Sequence, residues 1–478
     1  MKIEEEYETG GATPAALETL RETREEARGS APPRGLIGKA RHGVWSAWLW
    51  LLVWMAEASW KRWLLMLGLL VFGYVVFLAN PIEESPEYGL DHDFGIESEE
   101  FIASIVGATD TPFAPGNRID VYNNGDEFYP AMLAEIEEAK KTITVEAYIY
   151  WQGEIGMRFA RALADKARSG VTVKILLDAV GSSTISNEIM GTLKSGGCQV
   201  EWYHPVRWYT INRVNNRTHR KSLIADGRVG FTGGAGIADH WLGRAQDPDH
   251  WRDVHIRIEG PAVGPLQTGF ARNWLETTGE LISGLGYYPA RETAGPLAVQ
   301  SILSSPETGS STVRLMYYLS IVCARKSIFI ANPYFVPDEQ AIKILVDAKR
   351  RGVDVKIMVA GIHNDNMIAR KNSTRIYGKL LEAGVEIYEF NRTMLHQKYM
   401  VCDGIWATTG TTNFDSRSFA LNDENNVCVY DRDFAARWER IFKDDLAGCD
   451  KVELGEWRDR GPVTRALELA ASLLKNQV

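Results

Sequence analysis

Cysteine is scarce in this chain. Its 478 residues hold five, and none forms a C-x-x-C pair. That spacing excludes a thiolate zinc site of the common kind and a dense disulfide framework. Cys402, in an apolar strand-like run, reads as a small apolar filler. Net positive charge is lacking as well: 53 Lys and Arg stand against 62 Asp and Glu, a balance of −9. Bulk nucleic-acid affinity rests on many Lys/Arg–phosphate contacts, so a nucleic-acid partner is not expected. The nine histidines show no metal-ligand spacing. His240, His250 and His255 read as polar surface or loop residues, and neither a metal nor a cofactor is expected.

Long hydrophobic runs are few and sit early. Residues 1–33 are polar and acid-rich, with glycine and proline pairs, and are expected to be disordered. Residues 34–80 read as a membrane-anchoring region. Val44 to Ala56 carries four tryptophans but is short for a span, and its tryptophans suit the headgroup zone. WLLMLGLLVFGYVVFLA, from Trp63 to Ala79, has no charge. As a helix it rises about 25 Å, the short end of spanning length. The alternative is a buried core helix. Arg34, Lys39, Arg41, Lys61 and Arg62 precede this run and Glu83, Glu84 and Glu87 follow it. A single span then puts the N-terminus in the cytoplasm and the rest across a cell membrane. A hairpin anchor would reverse that, so the side of the catalytic part stays open.

From about residue 118 short β-rich runs alternate with helical ones, which indicates an α/β fold. The pattern also repeats. AKKTITVEAYIY (139–150) matches ARKSIFIANPYF (324–335), and GCQVEWY (197–203) matches GVEIYEF (384–390). The chain reads as two duplicated α/β domains, 100–290 and 291–456, followed by a tail over 457–478. Two copies of one unit pack about a pseudo-twofold axis, which brings equivalent residues face to face. The expectation is a monomer containing an intramolecular pseudo-dimer.

Each copy carries His-x-Lys-x-x-x-x-Asp: HRKSLIAD from His219 and HQKYMVCD from His396, 177 residues apart. Gly233 and Gly410 follow at the same separation. On a strand, alternation points His219 and Lys221 to one face, and likewise His396 and Lys398. Meeting across a twofold axis, two histidines and two lysines enclose one small anion pocket suited to phosphate. A neutral histidine can attack phosphorus while a protonated one donates to the leaving oxygen. The lysines stabilise charge on the other phosphate oxygens. The candidate catalytic set is therefore His219, Lys221, Asp226, His396, Lys398 and Asp403. The two aspartates read as structural members, since five residues beyond each lysine lies outside immediate reach.

These motifs, with GTTN (410–413), NPYFVPD (332–338), TTNFDSRS (411–418) and WRDVHIRIEGPAV ahead of Phe270 and Trp274, resemble the phospholipase D superfamily in its bacterial cardiolipin synthase-like branch. The resemblance covers about 118–456. It implies a membrane phosphatidyltransferase that condenses two phosphatidylglycerols to cardiolipin and glycerol through a phosphohistidine. A hydrolytic phospholipase D, a superfamily nuclease and a non-catalytic lipid-binding protein are the alternatives. It implies that His219 is the nucleophile and His396 the general acid and then base. It also places a carboxylate behind each histidine, and Asp253 and Glu424 fit those positions. Grouped by half, His396 has Asn413 and Glu424 available, and His219 has Gly236 and Asp253. Glu146 and Tyr148 are expected to line the cleft. Gly234 and Gly236 depart from the family pattern, which has a hydroxyl residue and an asparagine there. Asn413 thus has no twin in the first half.

Two further stretches have open readings. The arginine- and aromatic-rich loop with Arg207, Trp208, Tyr209, Arg213 and Arg217 either dips into an anionic membrane surface or is merely solvated. In the tail, Val463, Leu467, Ala470 and Leu474 share a helical face that lies on the membrane or on the domain. If both motifs build one site, His219→Ala and His396→Ala should each abolish phospholipid turnover. Retention of about half the activity by either variant would indicate two independent sites.

Overall fold

Strand-forming and helix-forming segments alternate as the apolar spacing dictates. Thr142–Ala147 (TITVEA) is buried at every position, as befits a β-branched strand covered on both faces. Glu339–Arg350 buries Ala341, Ile342, Leu345 and Ala348, a stripe of helical period. Its N-terminus is capped by Asp338, which accepts from the Ala341 N–H at 2.8 Å. The computed structural model describes residues 60–79, 88–89, 93–205, 215–306 and 312–474. The segment 1–33, the tryptophan-rich run 44–56 and residues 206–214 of the arginine-rich loop lie outside these.

The chain divides into two compact units, Met1–Pro81 and Ile82–Val478. In the first, a helix runs over Trp60–Ala79 and leaves Leu64, Leu65, Leu67, Leu69 and Leu70 more than half exposed. Among the described residues no helix is long and apolar enough to cross a membrane.

The second unit is built on a single mixed sheet in which the duplication is visible strand by strand. The first half supplies β1 (Ala114–Asn123), β2 (Thr142–Ala147), β3 (Thr172–Asp178), β4 (Gln199–Tyr203), β5 (Ser222–Ala225), β6 (Val229–Gly233) and β7 (Val254–Glu259). The second supplies β8 (Leu297–Ser304), β9 (Ser327–Ala331), β10 (Asp354–Ala360), β11 (Glu386–Phe390), β12 (Tyr399–Cys402), β13 (Trp406–Gly410) and β14 (Asn422–Tyr430). The sheet order is β4-β3-β2-β5-β6-β7-β1-β8-β14-β13-β12-β9-β10-β11, with Cys449–Lys451 added antiparallel at the outer edge of β11. Each strand thus has its twin seven strands later, and the pseudo-twofold passes between β1 and β8. Those two meet antiparallel, with Ala114 opposite Val299. In each half three strands are parallel and joined through helices: β2–β3–β4 and β9–β10–β11. The others pair antiparallel.

The signature aspartates explain themselves here. Asp226 and Gly227 have φ of 52° and 63°, and Asp403 and Gly404 have 54° and 62°. Paired left-handed residues make the tight hairpin turns β5–β6 and β12–β13, where aspartate and glycine are favoured. Each carboxylate also gathers three backbone N–H groups from the start of a neighbouring strand. Asp226 takes those of Lys140, Lys141 and Thr142 at 2.7–2.9 Å. Asp403 takes those of Arg325, Lys326 and Ser327 over the same range. Both therefore stand at the strand ends remote from the histidines and brace the hairpin. Asp403→Ala should cost about 2–4 kcal/mol, from three orphaned donors and a strained left-handed backbone. Urea unfolding at 25 °C reads this, and an unchanged midpoint would contradict it.

Candidate active site

A histidine, then a lysine, stands just before β5 and again before β12. Strand alternation was the expectation for these residues. Instead His219–Lys221 and His396–Lys398 form extended links outside the regular ladder. The cause is a change of partner. Arg217–Thr218 leaves its own half and pairs parallel with Asn422–Asp423, and the His219 N–H donates to the Asp423 carbonyl at 2.9 Å. In the other copy Leu395 bridges to Arg252, and the His396 N–H donates to the Arg252 carbonyl at 2.8 Å. Each motif is thereby hung on the opposite half.

This exchange sets the carboxylates. His219 Nδ1 lies 2.9 Å from Glu424 Oε1, and His396 Nδ1 lies 2.9 Å from Asp253 Oδ2. The pairing is crossed between the halves, which corrects the grouping of Glu424 with His396 and Asp253 with His219. The residue before each carboxylate, Asp423 or Arg252, bonds the opposite histidine's backbone through its carbonyl, and the next side chain along, Glu424 or Asp253, then faces that histidine. A carboxylate on Nδ1 leaves Nε2 to face the pocket.

Lys221 Nζ donates to the His219 carbonyl at 2.9 Å, and Lys398 Nζ to the His396 carbonyl at 2.6 Å. All four side chains are buried, His219 being 7% exposed and His396 4%. Burial, then the Lys221, Lys398 and Arg417 cations, hold the His219 imidazolium well below its usual range. Burial and Lys398 bring His396 down to about 4. Burial outweighs the nearby carboxylates and takes Lys398 to about 8. Burial and Lys398 lower Lys221 as well. Burial raises Asp253 less than the hydrogen bond and charge of His396 lower it, so this carboxylate is held ionised. Burial pushes Glu424 up.

The glycine departures follow from the same packing. A Cβ on Gly234 would stand 2.4 Å from Asp253 Oδ1 and 2.6 Å from the His396 carbonyl. Its counterpart Thr411 instead turns its hydroxyl onto Glu424. A Cβ on Gly236 would meet Ile149 Cβ at 2.8 Å, which leaves no room for asparagine. Asn413 is buried, and its backbone N–H reaches Ser418 Oγ at 3.3 Å.

Tyr148 does face the site, its ring edge-on to His219 at 5.2 Å. Glu146 does not line the cleft. It is buried behind it, bonded to the Thr218 hydroxyl and to Asn273 Nδ2 at 2.8 Å. Burial raises its pKa. His255 is not a surface residue. It lies in β7 at 2% exposure, its ring 5.2 Å from Phe128, because the helix Gly125–Glu138 covers this end of the strand. His240 is exposed but stacks on Trp251 at 5.1 Å, and His250 pairs with Asp247. Among the described residues no group of three His, Cys, Asp or Glu side chains could hold a metal ion.

Three contributors were not read from the sequence. Trp241 donates its indole N–H to Asp253 at 2.9 Å and packs on His396 at 5.2 Å. Arg252 is clamped by Asp445 at 2.8 Å. Tyr334 stands 6.3 Å from His396, its hydroxyl donating to Asp365. Arg252 directly precedes Asp253 in WRDVHIRIEGPAV, and a cation adjoining a site carboxylate is a usable sequence signal.

Comparison with known proteins agrees with this arrangement. A family model described as cardiolipin synthase, PLD-like domain, matches residues 132–274 and again 320–446, one match per half. A cardiolipin synthase of Geobacillus kaustophilus is 37% identical over 366 residues, covering 76% of this chain and 73% of the relative. Cardiolipin synthase 2 of Bacillus anthracis is 35% identical over 376 residues, covering 78% and 73%. A crystal structure of phosphatidylserine synthase from Haemophilus influenzae superposes with a TM-score of 0.64 at 16% identity, covering 80% of this chain and all of that one. At that identity it speaks for the fold alone. With one family match in each half and relatives above 30% identity along most of its length, the chain belongs to the cardiolipin synthase family of phospholipase D-like enzymes.

Proposed function

We propose that this enzyme joins two phosphatidylglycerol molecules into cardiolipin and glycerol through a phosphohistidine on His219. The observation that carries the reading is the crossed pairing of two buried histidines with two carboxylates, with both lysines between them. Burial and three cations keep His219 neutral, so its Nε2 lone pair is available to attack phosphorus. The P–N bond forms as the bond from phosphorus to the glycerol oxygen breaks. His396 gives that oxygen its proton, then takes one from the free hydroxyl of the second phosphatidylglycerol as its oxygen displaces His219. Lys221 and Lys398 hold the non-bridging oxygens throughout. The halves differ in a way that suits these roles. Ionised Asp253 favours a cationic His396, and the anionic substrate offsets the lysine charge that otherwise opposes it. Asp226, Asp403, Asn413 and Glu146 support the site without touching phosphorus.

The same reading makes residues 34–80 an anchor in a cell membrane, with Trp63–Ala79 as its core. The catalytic unit, halves 100–290 and 291–456, acts as a monomer, since one chain supplies both motifs.

Vesicles with radiolabelled phosphatidylglycerol test the reaction: a diphosphatidyl product supports it, and phosphatidate alone makes the protein a hydrolase. In His396→Asn the acceptor lacks its base, so with a phosphatidyl donor whose leaving group needs no proton the intermediate should accumulate. Mass spectrometry should find phosphate on the peptide containing THRKSLIAD. An adduct found only on the LHQKYMVCD peptide, in the unmodified enzyme or in His219→Asn, would reverse the two roles.

Anion binding should fall with rising pH. Across about pH 5 to 9 the pocket grows less positive: Lys398 loses its proton around 8, Lys221 loses its own below the usual lysine range, and Glu424, raised by burial, ionises. All three changes weaken the hold on an anion as pH rises. Sulfate keeps its charge over the range, so its inhibition constant should climb about tenfold per pH unit above about 8. A flat profile would contradict the lysine assignment.

A further inference from the structure

The last helix, Pro462–Ser472, is packed the wrong way round for a helix in water. Its one buried residue is Glu468, 2% exposed, whose Oε2 meets Arg460 Nη2 at 3.1 Å. Val463, Leu467, Leu469 and Leu473 are 72%, 54%, 60% and 62% exposed. At about 100° per residue these four fall on one arc with Ala466 and Ala470. Arg465 is exposed at its margin. A contiguous apolar arc of this kind marks a contact with a partner or a membrane.

The helix is fixed to the catalytic unit by its polar side. Asn372 Nδ2 donates to the Ala471 carbonyl at 3.2 Å, and Trp457 Nε1 to the Thr374 carbonyl at 2.7 Å. Both partners lie on the helix Met367–Glu382. That helix starts at the pocket mouth, two residues after Asp365, which accepts from Tyr334 beside His396. Its first residues, Met367 and Ile368, are exposed, as is Ile362 just before it. Arg375 shares their solvent stripe and is exposed too.

We infer that this surface, the outer arc of Pro462–Ser472 continued by Met367, Ile368 and Ile362, is where the catalytic unit rests on the lipid bilayer. Three observations select a bilayer over another protein. The surface runs up to the mouth of a pocket that acts on phospholipid. Its arc lacks the hydrogen-bonding groups that a protein interface would use. Arg465 and Arg375 at its edge suit anionic headgroups, with aliphatic stems lying along the apolar surface. The bond from Asn372 to the Ala471 carbonyl and the burial of Glu468 turn that side of the helix inward, which leaves the leucines outward, so the tail lies on the domain and on the membrane at once. The inference rests on the phospholipid substrate assigned above.

The test uses full-length protein in phosphatidylglycerol–phosphatidylcholine vesicles, with Cys449→Ser removing the half-buried thiol. A fluorophore on Leu467→Cys or Leu473→Cys should be quenched at least twofold by brominated lipid, and one on the exposed control Lys194→Cys should not. Leu467→Asp with Leu473→Asp should lower turnover of vesicle phosphatidylglycerol about tenfold or more and leave turnover of a soluble short-chain phosphatidylglycerol unchanged. Unquenched labels, an equal loss on both substrates, no loss on either, or burial of the labels on self-association without lipid would each overturn the inference. If the unmodified enzyme turns over neither substrate, the substrate assignment fails, and quenching still decides the docking surface.

Discussion

The site depends on a backbone exchange: each histidine-bearing strand leaves its own half to hydrogen-bond the other. Everything chemical follows from those two bonds, His219 N–H to Asp423 and His396 N–H to Arg252. They fix the crossed carboxylates, bring the lysines together and remove four ionisable side chains from water. Isolated charges pay heavily for such burial. Here the cost is met by pairing, since each ring has its carboxylate and each ammonium its carbonyl. The residual strain appears as lysines and histidines drawn toward neutrality, the condition an anionic substrate reverses.

The twofold holds across the fourteen paired strands and is broken in detail. β1–β7 and β8–β14 correspond strand for strand, yet the supports of the two carboxylates differ. Glu424 receives the Thr411 hydroxyl; Asp253 receives the indole of Trp241. Gly234 is the hinge of that difference, because a side chain there would occupy the space Asp253 and His396 share. Two like histidines are given unlike neighbours, which a stepwise transfer requires of an acid and a nucleophile.

Much of this was legible beforehand. The duplicated His-x-Lys-x-x-x-x-Asp at equal offsets announced one shared pocket, and the aspartates were readable as structural because strand spacing carries them away from it. The crossed partnership was not legible. Sequence proximity groups Glu424 with His396, whereas the true neighbour of His219 is fixed by which strands meet at the β1–β8 seam, a property of the folded sheet. Glu146 misled because the family resemblance puts polar groups in the cleft, whereas the fold buries this one behind it against Thr218 and Asn273. His255 misled for the converse reason, as a helix laid over its strand buries a side chain that composition calls polar. The glycines looked like losses of hydrogen bonding and are clearances instead.

The 205 residues separating His219 from Glu424 carry a consequence for assembly. Contacts so distant in the chain form late, after each half has gained its own helices and strands. A ribosome that has released only β1–β7 has made a histidine and a lysine, but neither the carboxylate behind the ring nor the second lysine of the pocket. The half-built product therefore holds no competent nucleophile while its neighbours are still being synthesised. Activity arrives with closure of the seam, so the enzyme's chemistry is itself a report that the whole sheet has been completed.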